Sequence, residues 1–317
     1  MADADIVVVG PGAMGCLFAG LFRKAGFMVW LLARTKTQAD RVRETGICIE
    51  EGDTIWRMPW PHITNDVTLI GRAHCILLCV KAYDTDSALK SVVPLIGSDT
   101  IVVTLQNGLG HIDIIKRYMP EERIIAGITA HGATRLGNGY IRHAGVGETI
   151  IGAVTATGKD GLLKAAQIFY KAGIPTTTTD NITSVLWGKL IVNAAINPLT
   201  AIFRLRNGDI TSSQYLQDIL RAIVGEAQNV AHAWGITLPY TDPLAKVFDV
   251  CRATAENFSS MLQDVNAHRE TEIDFINAAI VRYGEAMGVP TPVNRVIVLL
   301  VKALCQVNTC SVSNTNQ

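Results

Sequence analysis

Apolar and polar positions follow two different rhythms along the chain. Up to about residue 180, short apolar runs recur at Ile6 to Gly10, Met28 to Ala33, Cys75 to Val80, Thr100 to Leu105, Arg123 to Ile128 and Thr149 to Ala153. Stretches with helical spacing separate them, beginning with Met14 to Ala25 and a charged segment from Lys36 to Glu44. Strands alternating with helices predict a mostly parallel, doubly wound sheet. A β-branched run at Thr176 to Thr179 closes this part, and the pattern then turns helical almost to the end. Helices are expected at Thr183 to Asn197, Ser212 to Trp234, Pro243 to Ala255, His268 to Met287 and Pro292 to Cys305. The boundary falls near 181, and the polar tail from Asn308 to Gln317 is expected to fray.

Length agrees with two domains, since 317 residues with 49% hydrophobic content supply two packed cores. Lys plus Arg equals Asp plus Glu at 28 each, which leaves no basic excess for neutralising phosphates along a nucleic acid. Met1 to Asp5 carries neither a secretory signal nor a transit peptide, so a cytoplasmic protein is expected. The most apolar segments, Leu190 to Phe203 and Val296 to Val307, read as too short for a membrane span. Seven scattered cysteines are an odd number and mostly lie inside apolar runs, as reduced core residues do. Cys75 and Cys79 lie in a strand-like apolar run and not among four convergent ligands, and no HExxH pair occurs, so no metal site is expected.

Candidate chemistry begins at the first turn. Gly10-Pro11-Gly12-Ala13-Met14-Gly15 matches GxGxxG, directly after a strand and opening a helix. In this context Gly10 makes the tight turn, Gly12 lets the backbone approach a pyrophosphate, and Gly15 lets helix and strand pack closely. The helix N-terminus then offers unpaired N–H groups and its positive dipole end to the phosphates. The first domain is therefore an α/β, Rossmann-like, doubly wound dinucleotide-binding domain spanning 1–181, and 182–317 is an all-α C-terminal domain. Where an NAD-binding protein places Asp or Glu after the second strand, this chain has Ala33-Arg34-Thr35. A guanidinium grips a 2′-phosphate that a carboxylate would repel, which favours NADPH over NADH. Lys81 and Gln106-Asn107-Gly108 follow later strands, at the carboxyl ends where ligands of open sheets bind.

The second domain opens on Trp187-Gly188-Lys189-Leu190-Ile191-Val192-Asn193-Ala194-Ala195-Ile196-Asn197-Pro198, a helix apolar on most sides. Lys189, Asn193 and Asn197 recur every four residues, each about 40° past the last, and so form one polar stripe. A buried lysine needs a partner or a cavity, and desolvation lowers its pKa toward the range of a general acid. The alternative is a lysine snorkelling to solvent beside amides that bond loops. Pro198 is expected to stop or kink the helix and to aim Asn197 into a cleft.

Together these residues resemble the ketopantoate reductase family, NADPH-dependent 2-dehydropantoate 2-reductases of pantothenate biosynthesis. The resemblance also runs through Asn207-Gly208, Ser259-Ser260-Met261-Leu262-Gln263-Asp264 and Thr271-Glu272-Ile273-Asp274, and covers nearly the whole chain. It implies that Lys189 donates a proton and that Asn193, Asn197, Asn207 and Ser260 hold the substrate. It also implies that Asn107 touches cofactor and substrate, while Arg34, Lys81, Ala133 and Glu272 contact NADPH. Twelve residues set Glu272 about 120° around a helix from Ser260, so a bend near Asp264 to His268 is required.

The expected reaction is hydride transfer to C2 of a 2-oxo acid, with Lys189 protonating the ketone oxygen. Ketopantoate would give pantoate. A reductase of another branched 2-oxo acid is the alternative, and a non-enzymatic NADPH-sensing regulator would not need the Lys-Asn-Asn stripe. His131 and His143 lie in loop-like, glycine-bearing stretches and are set aside as catalytic acids. A small-molecule 2-oxo acid substrate is the expected partner, a homodimer is left open, and no nucleic acid or membrane is expected.

Overall fold

A computed structural model of the chain describes residues 3–314, with side-chain surroundings through 308. The first part runs β1 (Ala4–Val9), α1 (Ala13–Lys24), β2 (Val29–Leu32), α2 (Lys36–Thr45), β3 (Ile47–Glu51), β4 (Thr54–Met58), β5 (Ile63–Thr64), β6 (Ala73–Leu78) and α3 (Thr85–Val92). It continues as β7 (Ile96–Thr104), α4 (His111–Ile115), β8 (Ile124–Thr129), β9 (Gly132–Arg135), β10 (Tyr140–Gly145), β11 (Thr149–Ala153), α5 (Lys159–Lys171) and β12 (Thr176–Thr178). The helices that follow are α6 (Ile182–Phe203), α7 (Gln214–Ala233), α8 (Pro243–Ala253), α9 (Ser260–Asn266), α10 (Asn277–Met287) and α11 (Pro292–Asn314).

The main sheet has the order β12-β11-β8-β7-β6-β1-β2-β5 and is parallel except where β11 meets β8. Its central strands β1, β2 and β6 are largely apolar because both faces are covered. On β1, Ile6 and Val8 join one buried cluster with Phe18 and Phe22 of α1 and Phe169 of α5. Val7 and Val9 join the other, with Leu89 and Val92 of α3. The chain order reverses beside β1, flanked by β2 and β6, and this switch point carries the glycine turn.

A second sheet, β4-β3-β10-β9, was not expected from the sequence. A two-residue Gly52-Asp53 loop joins β3 to β4, with Gly52 at φ +56°. That is hairpin chemistry, and it was the local signal available for this sheet. It also corrects the reading of His143, which lies within β10, whereas His131 sits in the short connection before β9, as expected of a loop-like stretch.

Compact packing divides the chain into Met1–Gln106 with His111–Ile182, and Asn107–Gly110 with Thr183–Gln317. The four residues after Gln106 therefore pack with the helices: the Leu109 N–H donates to Phe275 O at 2.8 Å. Gly108, at φ +86°, comes so close that a Cβ would lie 2.1 Å from the same oxygen.

Three helical expectations need correction. The helix α6 does not stop at Asn197; it runs through Pro198 to Phe203. Proline leaves the carbonyl four residues back without its usual donor. Here Asn277 Nδ2 donates to Ala194 O at 3.0 Å and replaces the missing N–H. At 22 residues α6 is also long and apolar enough to cross a membrane by length and composition, although most of it is buried as a core helix. His268 to Met287 is not one helix, because α9 ends at Asn266 and α10 starts at Asn277. Thr271, Glu272 and Ile273 are all buried, and three consecutive buried side chains do not fit one face of a surface helix. The required bend is present, with His268 at φ +51°. Finally, α11 continues past Cys305 to Asn314 where fraying was expected, while 315–317 lie outside the described residues.

Candidate active site

In the sheet unit the glycine turn has the shape a dinucleotide phosphate requires. Gly10 sits at φ +97°, and a Cβ on Gly15 would fall 2.0 Å from Gly10 O, so neither position tolerates a side chain. A Cβ on Gly12 would meet nothing within 4 Å, which leaves the backbone open to an incoming group. Gly12 is the N-cap of α1 and makes no side-chain cap, and no acidic residue lies in the first turn. The N–H groups there suit an anion, so the residues present fit a nucleotide pyrophosphate.

Around this turn, Arg34 lies just beyond β2. Its N–H donates to Gln38 Oε1 at 3.3 Å, and Thr35 Oγ1 caps α2 by accepting from the Gln38 N–H. The Arg34 guanidinium, largely exposed, is ion-paired with Asp84. Lys81 opens the short 3-10 turn after β6, and its carbonyl accepts from the Asp84 N–H at 2.9 Å. Ala133 lies on β9, in register with His143.

Gln106, at the carboxyl end of β7, has its side chain committed to the protein itself. Gln106 Nε2 donates to Val80 O and to Thr85 Oγ1, both at 2.9 Å, and Oε1 accepts from Thr104 Oγ1 at 3.0 Å. Its amide is spent on fastening strand ends.

In the helical unit, α6 carries the polar stripe. Lys189 is half-buried by surface area, yet burial pushes its ammonium down from 10.5 to about 8, with the Glu272 carboxylate opposing the shift. Desolvation wins over the ion because burial removes more hydration than one carboxylate restores. One turn on, Asn193 Nδ2 donates to Asn107 Oδ1 at 3.4 Å, a long bond that joins the stripe to the loop after β7. Asn197 is buried, and Thr200 Oγ1 lies 2.9 Å from its carbonyl and 2.6 Å from Ser259 Oγ. Ser259 also caps α9, accepting from the Leu262 N–H at 3.1 Å. That clamp fixes exposed Ser260, the first residue of α9, next to the far end of the stripe.

Asn207 is buried and only half satisfied. Its Nδ2 donates to Thr254 Oγ1 at 2.9 Å, whereas Oδ1 has no hydrogen-bond partner. A buried acceptor without a donor costs about 1–3 kcal/mol, and a ligand hydroxyl would relieve that cost. Glu272, 5% exposed, is held between α9 and α10, on the segment that the bend displaces from α9's axis.

Sequence reading missed Ser259, Thr200, Asn277 and Asp84. Only Ser259 had a local signal, a serine just before an apolar helical run. The other three act through contacts distant in sequence. The set-aside histidines bond to one another instead: His131 Nδ1 and His143 Nε2 are 3.0 Å apart, and His143 Nδ1 lies 2.9 Å from Glu51 Oε1. Burial, and then His143, hold the His131 pKa below its ordinary value.

Two family models match. One described as ketopantoate reductase PanE/ApbA matches residues 6–156, and its C-terminal counterpart matches residues 181–305. The chain belongs to the ketopantoate reductase family. A 2-dehydropantoate 2-reductase of Vibrio cholerae is 36% identical over 304 residues, 95% of this chain and 98% of that protein. A PanE/ApbA family ketopantoate reductase structure from Ralstonia eutropha is 31% identical with a TM-score of 0.86, covering 96% of this chain and 99% of that one. A D-mandelate dehydrogenase solved with NADH and anilino(oxo)acetate is 28% identical with a TM-score of 0.89, again covering 96% and 99%. The ketopantoate reductases are oxidoreductases, and this member combines their α/β sheet domain with a C-terminal helical domain.

Proposed function

We propose that the protein reduces 2-dehydropantoate to pantoate with NADPH and that Lys189 is the proton donor. The observation that carries this reading is the Lys189-Asn193-Asn197 stripe on a buried helix, whose ammonium is held near 8 where it gives up a proton readily. The nicotinamide cofactor supplies the hydride when bound. Gly10, Pro11, Gly12, Ala13, Met14 and Gly15 hold its pyrophosphate, and Arg34 takes the 2′-phosphate. Lys81, Ala133, Asn107 and Glu272 complete its contacts.

The chain's own share is orientation and charge. Lys189 Nζ donates to the ketone oxygen and stabilises the developing alkoxide by its positive charge. Ser260 donates its hydroxyl to the substrate carboxylate from the start of α9. Asn193 and Asn197 orient the 2-oxo acid, and the unpartnered Asn207 Oδ1 accepts from a substrate hydroxyl. A site that pairs its polar atoms with a hydroxyl rejects the analogue lacking one.

The structural likeness to a D-mandelate dehydrogenase supports a second reading, a reductase of another branched or aromatic 2-oxo acid. NADPH absorbance followed with ketopantoate, 2-oxoisovalerate and the 2-oxo acid of mandelate separates the two. Ketopantoate should exceed 2-oxoisovalerate in kcat/KM by roughly 10²-fold or more. Equal efficiencies would remove the ketopantoate assignment and leave the general 2-oxo acid reductase. A leading rate with the aromatic acid would select the second reading.

A further inference from the structure

The geometry points to Asp84 as the residue that sets how strongly the protein distinguishes a 2′-phosphate from a 2′-hydroxyl. This rests on the proposal that a nicotinamide dinucleotide binds at the glycine turn. In the sheet order, β6 and β2 lie on either side of β1. Arg34 follows β2 and Asp84 follows β6, so their ion pair reaches across the carboxyl end of β1, over the turn that begins at Gly10. Two strand spacings, about 9.6 Å, are bridged by the two side chains.

Asp84 is placed for this contact rather than for capping. It occupies the N-cap position of α3 but makes no side-chain cap bond there. Its side chain is 23% exposed, against 65% for Arg34, so the carboxylate is the more enclosed of the two. Arg34 in turn is fastened by its backbone, through the Gln38 and Thr35 bonds that start α2.

Two consequences follow for a ligand. A 2′-phosphate must share or displace Asp84 on the guanidinium, and it meets the carboxylate's like charge at ion-pair range. A bare 2′-hydroxyl meets no such repulsion and can donate to the carboxylate, the role that an acidic residue plays for an unphosphorylated ribose. Arg34 therefore favours the phosphate while Asp84 opposes it, leaving the protein less selective than Arg34 alone would make it. Neutralising Asp84 should tighten the phosphorylated ligand by roughly 3- to 10-fold, the scale of one screened charge at about 5 Å.

The test measures dissociation constants of NADPH and NADH with the apoprotein by quenching of intrinsic fluorescence, for the natural sequence, Asp84→Asn, Arg34→Ala and the double variant. Calorimetric titration with 2′,5′-ADP and AMP isolates the adenosine end. Asp84→Asn should strengthen NADPH and 2′,5′-ADP binding, leave NADH and AMP equal or weaker, and raise the NADPH to NADH affinity ratio at least 3-fold. In the Arg34→Ala background the same change should still raise that ratio, because the carboxylate's repulsion of the phosphate remains when the guanidinium is gone. An unchanged ratio while NADPH still binds would overturn the role of Asp84 alone. Failure of the natural sequence to bind either dinucleotide would overturn the cofactor reading and this inference together.

Discussion

Lys189 makes a quantitative claim about pH. With its pKa at about 8, roughly 90% of the side chains carry the proton at pH 7 and roughly 10% at pH 9. A lysine at the ordinary 10.5 would remain almost wholly protonated over that span. If Lys189 donates the proton, kcat/KM for 2-oxo acid reduction should fall about tenfold between pH 7 and 9, with a limiting slope of −1. Lys189→Ala should lose on the order of 10²-fold or more at pH 7 and show no alkaline limb, while still binding the nucleotide. Lys189→Arg keeps a charge that does not titrate in this range, so its lower rate should stay level to pH 9. The shift also bears on stability, since the folded pKa lies below the unfolded one. The fold holds an unfavourable cation below pH 8, and the difference of 2.5 amounts to about 3 kcal/mol, recovered as pH rises from 8 to 10.5. Stopped-flow and steady-state rates at constant ionic strength provide the measurement. A profile for the natural sequence that stays flat to pH 9.5 would refute the assignment of Lys189.

Three further outcomes are expected. Asn277→Ala should cost about 1–3 kcal/mol in urea unfolding by stranding Ala194 O, and the cost should shrink in a Pro198→Ala background, where an N–H is restored; equal costs in both would reject the substitution of one donor for the other. His111 is fully buried with neither ring nitrogen bonded, and burial lowers its pKa from 6.5 to about 4, so it contributes stability above 6.5 that is lost as pH falls toward 4, about 3 kcal/mol in all. His111→Phe should flatten that part of the pH dependence in unfolding midpoints, and an unaltered acid limb would contradict it. Asn207→Ala should reduce kcat/KM for ketopantoate by roughly 10-fold or more and change 2-oxoisovalerate little, because only the former offers a hydroxyl to Oδ1; parallel losses would assign Asn207 to structure alone.

What the sequence made legible was whatever rests on local spacing. The strand, Gly10 to Gly15 turn and α1 follow in an order that fixes their geometry without knowledge of the rest, and the four-residue recurrence of Lys189, Asn193 and Asn197 survives intact on α6. What escaped depends on partners far along the chain. Pro198 looked like a helix end because the donor that rescues Ala194 O sits 83 residues away on Asn277. Arg34 looked like an unopposed phosphate ligand because its carboxylate arrives from beyond β6. Glu272 and its neighbours were read as helix since a helical spacing of apolar residues is indistinguishable, locally, from a turn that buries three side chains in succession.

The loop after β7 bears on how such proteins can be recombined. A crossover between relatives near residue 181 looks harmless on the linear map, because it separates sheet from helices. Yet Asn107–Gly110 would then come from one parent and Phe275 and Asn193 from the other. Leu109 would still find a carbonyl, since any residue has one, but the close approach at Gly108 tolerates no side chain, and the Asn107–Asn193 bond needs both amides. Viable chimaeras should therefore be confined to parents that share glycine at 108 and asparagine at 107 and 193, or have crossovers that carry residues 107–110 with the helices.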